Sequence, residues 1–287
     1  MKISDLRVEP GQKIKLKNFD TSDKGDFENK EAAQEKLASD IARMAALQDV
    51  FYAADTYSLL IIFQAMDAAG KDGAIKHVMS GLNPQGCQVA AFKSPSPREL
   101  DHDYLWRCNL FLPERGRIGI FNRSYYEEVL VVRVHPEFLD AQKIPEDLKG
   151  GNIWKRRFRE INNYERYLTD NGTKILKFFL HISKDEQKKR FMERIENPAK
   201  NWKLSPSDVK ERAHWDDYME AYGDMLENTS TEHAPWWIIP ADRKWYSRVS
   251  ISEIIVKTLE GLRLDYPKLD EKGLAAIAES RRILEAE

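Results

Sequence analysis

Apolar residues along this chain gather into five short runs, at about 58–64, 88–92, 117–121, 174–182 and 236–239. Runs of this length without polar alternation are the pattern of strands buried on both faces. Between them the apolar spacing changes to three and four. Leu37, Ile41, Met44, Leu47 and Phe51 predict a helix over about 29–52. Trp154, Phe158, Ile161, Tyr164 and Leu168 predict another, ahead of the turn Asp170-Asn171-Gly172, and a third is expected from about Tyr246 to Leu262. Ser96-Pro97-Arg98-Glu99 is a capping box with proline at the first helical position, so a helix should run from there to about Phe111. Ser183-Lys184-Asp185-Glu186 caps a further helix, and Ser205-Pro206 opens the next. Strands alternating with helices predict an α/β fold, with a mostly parallel sheet and helices on both faces. Residues 1–28 are polar and aperiodic and are expected to form an extended arm laid on the surface, with 29–287 as a single domain.

In such a sheet a ligand sits beyond the carboxyl ends of the strands. The first run continues as Ala65-Met66-Asp67-Ala68-Ala69-Gly70-Lys71-Asp72-Gly73 and enters a helix expected to end near Gly81. Gly70 and Gly73 let backbone N–H groups turn inward around an anion. Lys71 adds a point charge, and the helix start aims its positive end at the same place. The loop departs from G-x-x-x-x-G-K-[ST] twice: Ala65 replaces the first glycine, and Asp72 the hydroxyl residue that normally holds magnesium. Asp67 is a carboxylate where phosphate is expected. It fits if a cation lies between the two, or if the loop is only a glycine-bearing turn. The third run ends at Asn122-Arg123-Ser124-Tyr125-Tyr126-Glu127 and reaches the same edge. Arg123 reads either as a clamp on a transferring group or as half of a surface ion pair. Asn122 stands where a Walker B carboxylate would be, and as an amide it meets metal only through its carbonyl oxygen or a bound water.

With 287 residues, 42% hydrophobic and 32% charged, the chain has the make-up of an ordinary globular enzyme. No apolar run approaches the roughly 18 residues that span a membrane, and Met1-Lys2-Ile3-Ser4-Asp5-Leu6 carries no signal-peptide stretch. Cys87 and Cys108 make no disulfide framework, so a cytoplasmic protein is expected. Net charge is −2, yet residues 153–215 hold 16 Lys/Arg against 9 Asp/Glu, leaving 29 against 38 elsewhere. That imbalance indicates a local polyanion site, unless the basic residues are solvated helix faces. Arg190 and Arg194 lie one turn apart after Ser183, with Lys188 and Lys189 beside them and Phe191 and Ile195 on a neighbouring face expected to pack down. Asn197-Pro198 breaks the helix, and Lys200, Trp202 and Lys203 follow. The segment at about 184–215 describes either a lid over an extended anion or a solvated helix pair. No histidine pair has metal-ligand spacing, and His77 and His102 read as structural.

Five segments in order resemble the family-2 polyphosphate kinases: residues 65–73, Asp103-Tyr104-Leu105-Trp106-Arg107, Phe121 to Glu127, Lys177 to Gln187, and Ala234-Pro235-Trp236. The likeness runs from about Leu37 to Leu262. It implies a P-loop-kinase-like, three-layer α/β/α sandwich with a helical lid. It also implies phosphoryl transfer between inorganic polyphosphate and nucleotides, dependent on Mg²⁺ or on Mn²⁺ in its place. By the same resemblance Asp67, Lys71, Asn122 and Arg123 are the catalytic set, with Asp67 as metal ligand and Asn122 as a second candidate. Ala68, Ala69, Gly70, Lys71, Asp72, Gly73 and Arg123 would hold phosphate, and Arg190, Arg194 and Lys203 of the lid would line the polyphosphate channel. Arg107, Asn122 and Glu127 would face the nucleotide. Many members carry Asp-Arg-Ser where this chain has Asn122-Arg123-Ser124. The Asn form resembles the subgroup that accepts both AMP and ADP, with Glu127 replacing part of the missing charge. Expected partners are polyphosphate, AMP, ADP and ATP, guanine nucleotides as further acceptors, and copies of the chain in a dimer or tetramer. Nucleic acid and membranes are not expected. Two alternatives remain: an ATP-dependent nucleoside monophosphate kinase, which has no need of so long a basic strip, and a non-catalytic polyphosphate- or nucleotide-binding protein, which has no need of Asp67, Lys71 and Arg123 together.

Overall fold

The computed structural model describes residues 2–287. Five parallel strands, β1 (Ser58–Gln64), β2 (Cys87–Ala91), β3 (Ile118–Asn122), β4 (Thr173–His181) and β5 (Trp236–Pro240), form one sheet in the order β2-β3-β1-β4-β5. β1 lies at the centre and every one of its residues is buried, which is why its sequence shows no polar alternation. Its register pairs Phe63 with Asn122 on one side and with Phe178 on the other, so β1 and β3 end side by side. Helices of eight residues or more surround the sheet: α1 (Lys30–Ala54), α2 (Lys71–Val78), α3 (Ile153–Asp170), α4 (Lys184–Glu196), α5 (Trp215–Thr229), α6 (Lys244–Gly261) and α7 (Glu271–Glu285). α6 packs against α1 and α2, and α3 against β4 and α5.

Local chemistry sets the boundaries. Asn29 caps α1 by accepting from Ala32 N, and Ser183 caps α4 by accepting from Glu186 N. The capping box at Ser96 and Glu99 forms, but the helix expected to reach Phe111 stops at Leu100 and restarts over Trp106–Asn109. Asp103 accounts for the break: its Oδ1 accepts from Leu105 N at 2.9 Å, so an aspartate turn competes with the helix. The helix after the glycine loop ends at Val78 instead of Gly81, with Ser80 Oγ taking the His77 carbonyl. Gly81 is left where α1 passes, and a Cβ there would lie 2.3 Å from Ile41 Cγ2.

Most of residues 2–28 are exposed or half-buried, as in an arm laid on the surface, but four apolar side chains reach inward. Leu6, Val8, Ile14 and Leu16 are buried in the main core. Val8 N donates to Trp236 O at 2.9 Å, and Arg7 forms an antiparallel bridge with Trp237, so the segment covers the open edge of β5. Its apolar residues fall in two pairs spaced by two, too few to register as a strand pattern.

One charged pair sits inside this core. Lys177 on β4 and Glu165 on α3 are fully buried, 2.6 Å apart. Tyr125 and Tyr126 both donate to Glu165 Oε1, at 2.9 and 2.8 Å, and Lys177 Nζ donates to Tyr126 Oη and Thr229 O. Removing one member of such a pair strands the other charge, at a cost of roughly 3–5 kcal/mol. Lys177→Met should therefore lower unfolding free energy by that amount. Adding Glu165→Gln, which keeps an acceptor for both tyrosines, should recover much of the loss. Urea unfolding of the three proteins tests this, and a double variant no more stable than Lys177→Met would refute it.

Candidate active site

The loop after β1 carries two left-handed residues, Ala68 at φ 62° and Gly70 at φ 111°. Glycine takes that conformation freely, whereas it costs alanine roughly 1 kcal/mol or more. The carbonyls around Ala68 are tied down: Gln187 Nε2 donates to Asp67 O, and Arg190 Nη1 to Ala68 O and Ala69 O. Lys71, the first residue of α2, is buried and donates to Ala65 O at 2.8 Å. Burial, then the nearby charge of Arg123, pushes its amine down to about 8, against the opposing pull of Asp67, Glu127 and Asp72.

β3 brings the second half. Arg123 is itself left-handed, at φ 66°, with its N–H on Phe63 O, which fixes it beside the loop. Its Nη2 donates to Asp67 Oδ1 at 2.6 Å, and Nη1 lies 3.9 Å from Glu127 Oε2. Glu127, and next Asp67 after a smaller opposing effect of burial, hold the guanidinium firmly charged. Glu127 is itself raised by burial, with Arg123 and Lys71 opposing. Asn122 Nδ2 donates to Asp72 Oδ1 at 2.8 Å. Gln64 at the end of β1 lies against Ser124 Oγ, and with its amide turned over its nitrogen donates to Glu127 Oε1 at 2.8 Å.

Asp67, Ala68, Gly70, Lys71, Asp72, Gly73, Asn122 and Arg123 line a cavity of 660 Å³. Arg194, Lys203 and Asp208 line it as well, with Lys200 and Trp202. Arg194 Nη1 donates to Lys203 O and lies 3.8 Å from Asp208 Oδ2. Asp208 is raised by burial and then by the charge of Asp67 across the cavity. Lys93 and Ser94 follow β2 into the same space, and Lys244 enters from α6. Lys93, Lys244, Asp208, Gln64 and Gln187 were not singled out by the sequence reading. Lys93 and Gln64 had a signal, their place at the end of a strand.

Several expected positions differ. Arg190 borders the cavity but is no exposed lid residue: it is 4% exposed, and its five N–H donors go to Glu186, Ala68, Ala69, Ala241 and Asp242. Ala69 is buried and does not line the cavity; Glu127 stands behind Arg123. Lys188 and Lys189 stay on the outer face, and Ile195 is half-exposed instead of packed down, because the chain leaves the core at Asn197. Arg107 lies outside the cavity. It is buried, donates to Lys93 O at 2.7 Å, and lines a second cavity of 450 Å³ with Tyr104, Arg156 and Glu128. His102 stacks on Trp106 at the rim of that second space.

Among the described residues no cluster of three or more His, Cys, Asp or Glu side chains could enclose a metal ion. A hard cation that keeps its waters and binds through one or two carboxylates plus substrate oxygens fits the cavity. Asp67 offers such a carboxylate, with Oδ2 free of the Arg123 contact.

The chain matches the model of the Polyphosphate kinase 2 family over residues 27–266. It is 52% identical to an ADP-polyphosphate phosphotransferase of Rhodopseudomonas palustris, covering 93% of each chain. It is 48% identical to an AMP/ADP-polyphosphate phosphotransferase of Meiothermus ruber, covering 91% of this chain and 94% of the relative. The crystal structure of polyphosphate kinase 2 from Arthrobacter aurescens superposes with a TM-score of 0.87 at 40% identity, over 98% of this chain and 97% of that one. Sheet order, loop and relatives of matching length agree: the chain belongs to the polyphosphate kinase 2 family.

Proposed function

We propose that this protein moves phosphoryl groups between inorganic polyphosphate and adenine nucleotides, accepts AMP as well as ADP, and uses Mg²⁺. One observation carries the reading. A single cavity brings the loop, Lys71 and Arg123 together with Arg194, Lys200 and Lys203, more cations than a two- or three-phosphate donor needs. A terminal phosphate oxygen of the acceptor attacks the last phosphorus of the polyphosphate chain. The bond from that phosphorus to its bridging oxygen breaks, and the shortened chain leaves with the charge on its new terminal oxygen. Catalysis is then positioning and charge compensation. The loop amides and Lys71 hold the donor, and Arg123 follows charge onto the moving group. When bound at Asp67, Mg²⁺ neutralises charge on the phosphate oxygens. The second cavity, which Arg107 borders, is the place for the rest of the nucleotide.

The same reading makes the protein cytoplasmic and homo-oligomeric. No described helix is long and apolar enough to cross a membrane. Leu274, Ile277, Ile283 and Leu284 of α7 lie exposed with no cover from the chain itself, which supports self-association. The direct test is incubation with Mg²⁺, long-chain polyphosphate and ADP or AMP, without another donor. ATP should form from ADP, and ADP then ATP from AMP; no product from either acceptor refutes the reading.

Lys71→Met should cut turnover by roughly 10²–10³ while far-ultraviolet circular dichroism stays native, since an electrostatic contact to the moving charge is worth that much. Folded variant with turnover near wild type would remove Lys71 from the mechanism. Because the free amine titrates at about 8, its charged form is lost as pH rises through that value. kcat/KM for polyphosphate should therefore fall above about pH 8, whereas kcat should hold to higher pH, because bound phosphate raises the amine again. A kcat/KM flat to pH 10 contradicts this. Asn122→Asp replaces a donated hydrogen bond to Asp72 by two facing carboxylates. It should change the ratio of AMP to ADP turnover at least roughly tenfold, the scale of a lost charge-assisted contact. An unchanged ratio at saturating polyphosphate defeats that expectation.

A further inference from the structure

Three consecutive loop carbonyls end on side chains one turn apart on α4. Gln187 Nε2 takes Asp67 O at 2.9 Å, and Arg190 Nη1 takes Ala68 O at 3.0 Å and Ala69 O at 2.8 Å. Both side chains are buried, at 1% and 4% exposure. The Gln187 amide is oriented by Arg212, whose Nη1 donates to Gln187 Oε1 at 2.6 Å, so the nitrogen must face Asp67 O. Arg190 is anchored at its other end by Ala241 O and Asp242 O just past β5, and by Glu186 on its own helix. Arg190 has no donor left over for a ligand, and Gln187, itself buried, keeps a single amide hydrogen beyond its bond to Asp67 O.

We propose that Gln187 and Arg190 are positioning residues that shape the loop for phosphate, and not ligands of the polyphosphate chain. The inference rests on the reading of this loop as the phosphate-binding element. In a planar peptide the C=O and N–H point in opposite directions. Drawing the carbonyls of residues 67–69 toward α4 turns the N–H groups of Ala68 and Gly70 away from it, while the Ala69 N–H donates to Met66 O at 3.2 Å, and the left-handed Ala68 persists because its neighbours are fastened on both sides. Without the clamp, those carbonyls are free to rotate toward the cavity and present partial negative charge to an anion. A point charge such as lysine cannot replace Arg190, because it cannot span carbonyls from two separate segments.

Gln187→Glu keeps the size and the acceptor for Arg212 but loses the donor to Asp67 O; Arg190→Lys keeps the charge but loses the span. Hydrogen exchange of the ligand-free proteins should show loop amides 68–73 opening roughly tenfold faster or more, with β1 and α3 unchanged. kcat should fall roughly 10–100-fold, while KM for polyphosphate stays within about twofold, equally for short and long chains and at low and high salt. A rise in KM that grows with chain length and salt would make Arg190 a polyphosphate ligand and overturn the proposal. So would uniform acceleration of exchange, which marks general destabilisation, or wild-type loop exchange and kcat in both variants. Should Arg190→Lys fail to fold, Gln187→Glu decides alone. If the unaltered protein transfers no phosphate, the functional reading fails, and loop exchange still decides whether the clamp exists.

Discussion

Like-charge repulsion constrains everything at the carboxyl edge of this sheet. A site for a polyanion must hold several cations together while the anion is away, and the cost shows on individual groups. Lys71 is brought down to about 8 by burial and by Arg123, and Lys244 is lowered by burial, then by Arg190 and Lys200. Carboxylates distributed among them compensate. Asp67 lies on Arg123 at 2.6 Å, and Asp208 lies 3.8 Å from Arg194. On the proposed reading, arriving phosphate oxygens would take over from these carboxylates as partners, so the cations need not be left bare. An acidic residue inside a phosphate loop, odd on sequence grounds, follows from that need.

The same logic is repeated one layer deeper. Tyr125 and Tyr126 follow the Arg123 segment directly and both end on Glu165, which Lys177 neutralises from β4. A buried ion pair is poor evidence of net stability, but it fixes geometry, since every member has a defined partner. Arg123 is therefore held from the front by Asp67 and from behind through a backbone whose next residues are bolted to the core. α4 does the equivalent for the loop. The segment beyond Asn197 is an exposed part of the cavity wall, with Trp202 78% exposed.

Sequence alone was enough for the sheet, because strands buried on both faces cannot hide their apolar runs, and all five were placed within a residue or two. It failed where a side chain overrode a pattern. Asp103 broke a helix that the capping box had promised, and Leu6, Val8, Ile14 and Leu16 were too sparse to betray an edge-covering segment. In the site, the loop and Asn122-Arg123 were legible from position at strand ends. The burial of Arg190 was not legible: its spacing from Arg194 is the same whether a guanidinium faces solvent or backbone carbonyls. Only burial separates the two, and a strongly basic helix gives no sign of which cation is covered. The second cavity was not legible at all: the short helix that carries Arg107 turns its donor toward Lys93 O and sets it there, apart from the loop.

Choice of acceptor is a local property of the site. Relatives at 52% and 48% identity carry names with different acceptors, ADP in one and AMP with ADP in the other. Telling AMP from ADP means registering the position of one phosphate, so the groups that choose must differ in charge or in freedom to move. The loop is fastened to α4, Lys71 to Ala65 O, and Arg123 to Phe63 O through its own backbone. The side chains of Asn122 and Asp72 are fastened to each other, at 2.8 Å, on residues half-buried and exposed respectively. A neutral amide there can release Asp72 to follow the cation or keep it in place, and it adds no fixed negative charge against either acceptor. Tolerance of both phosphate counts is what that arrangement favours, and a carboxylate at position 122 would remove the choice.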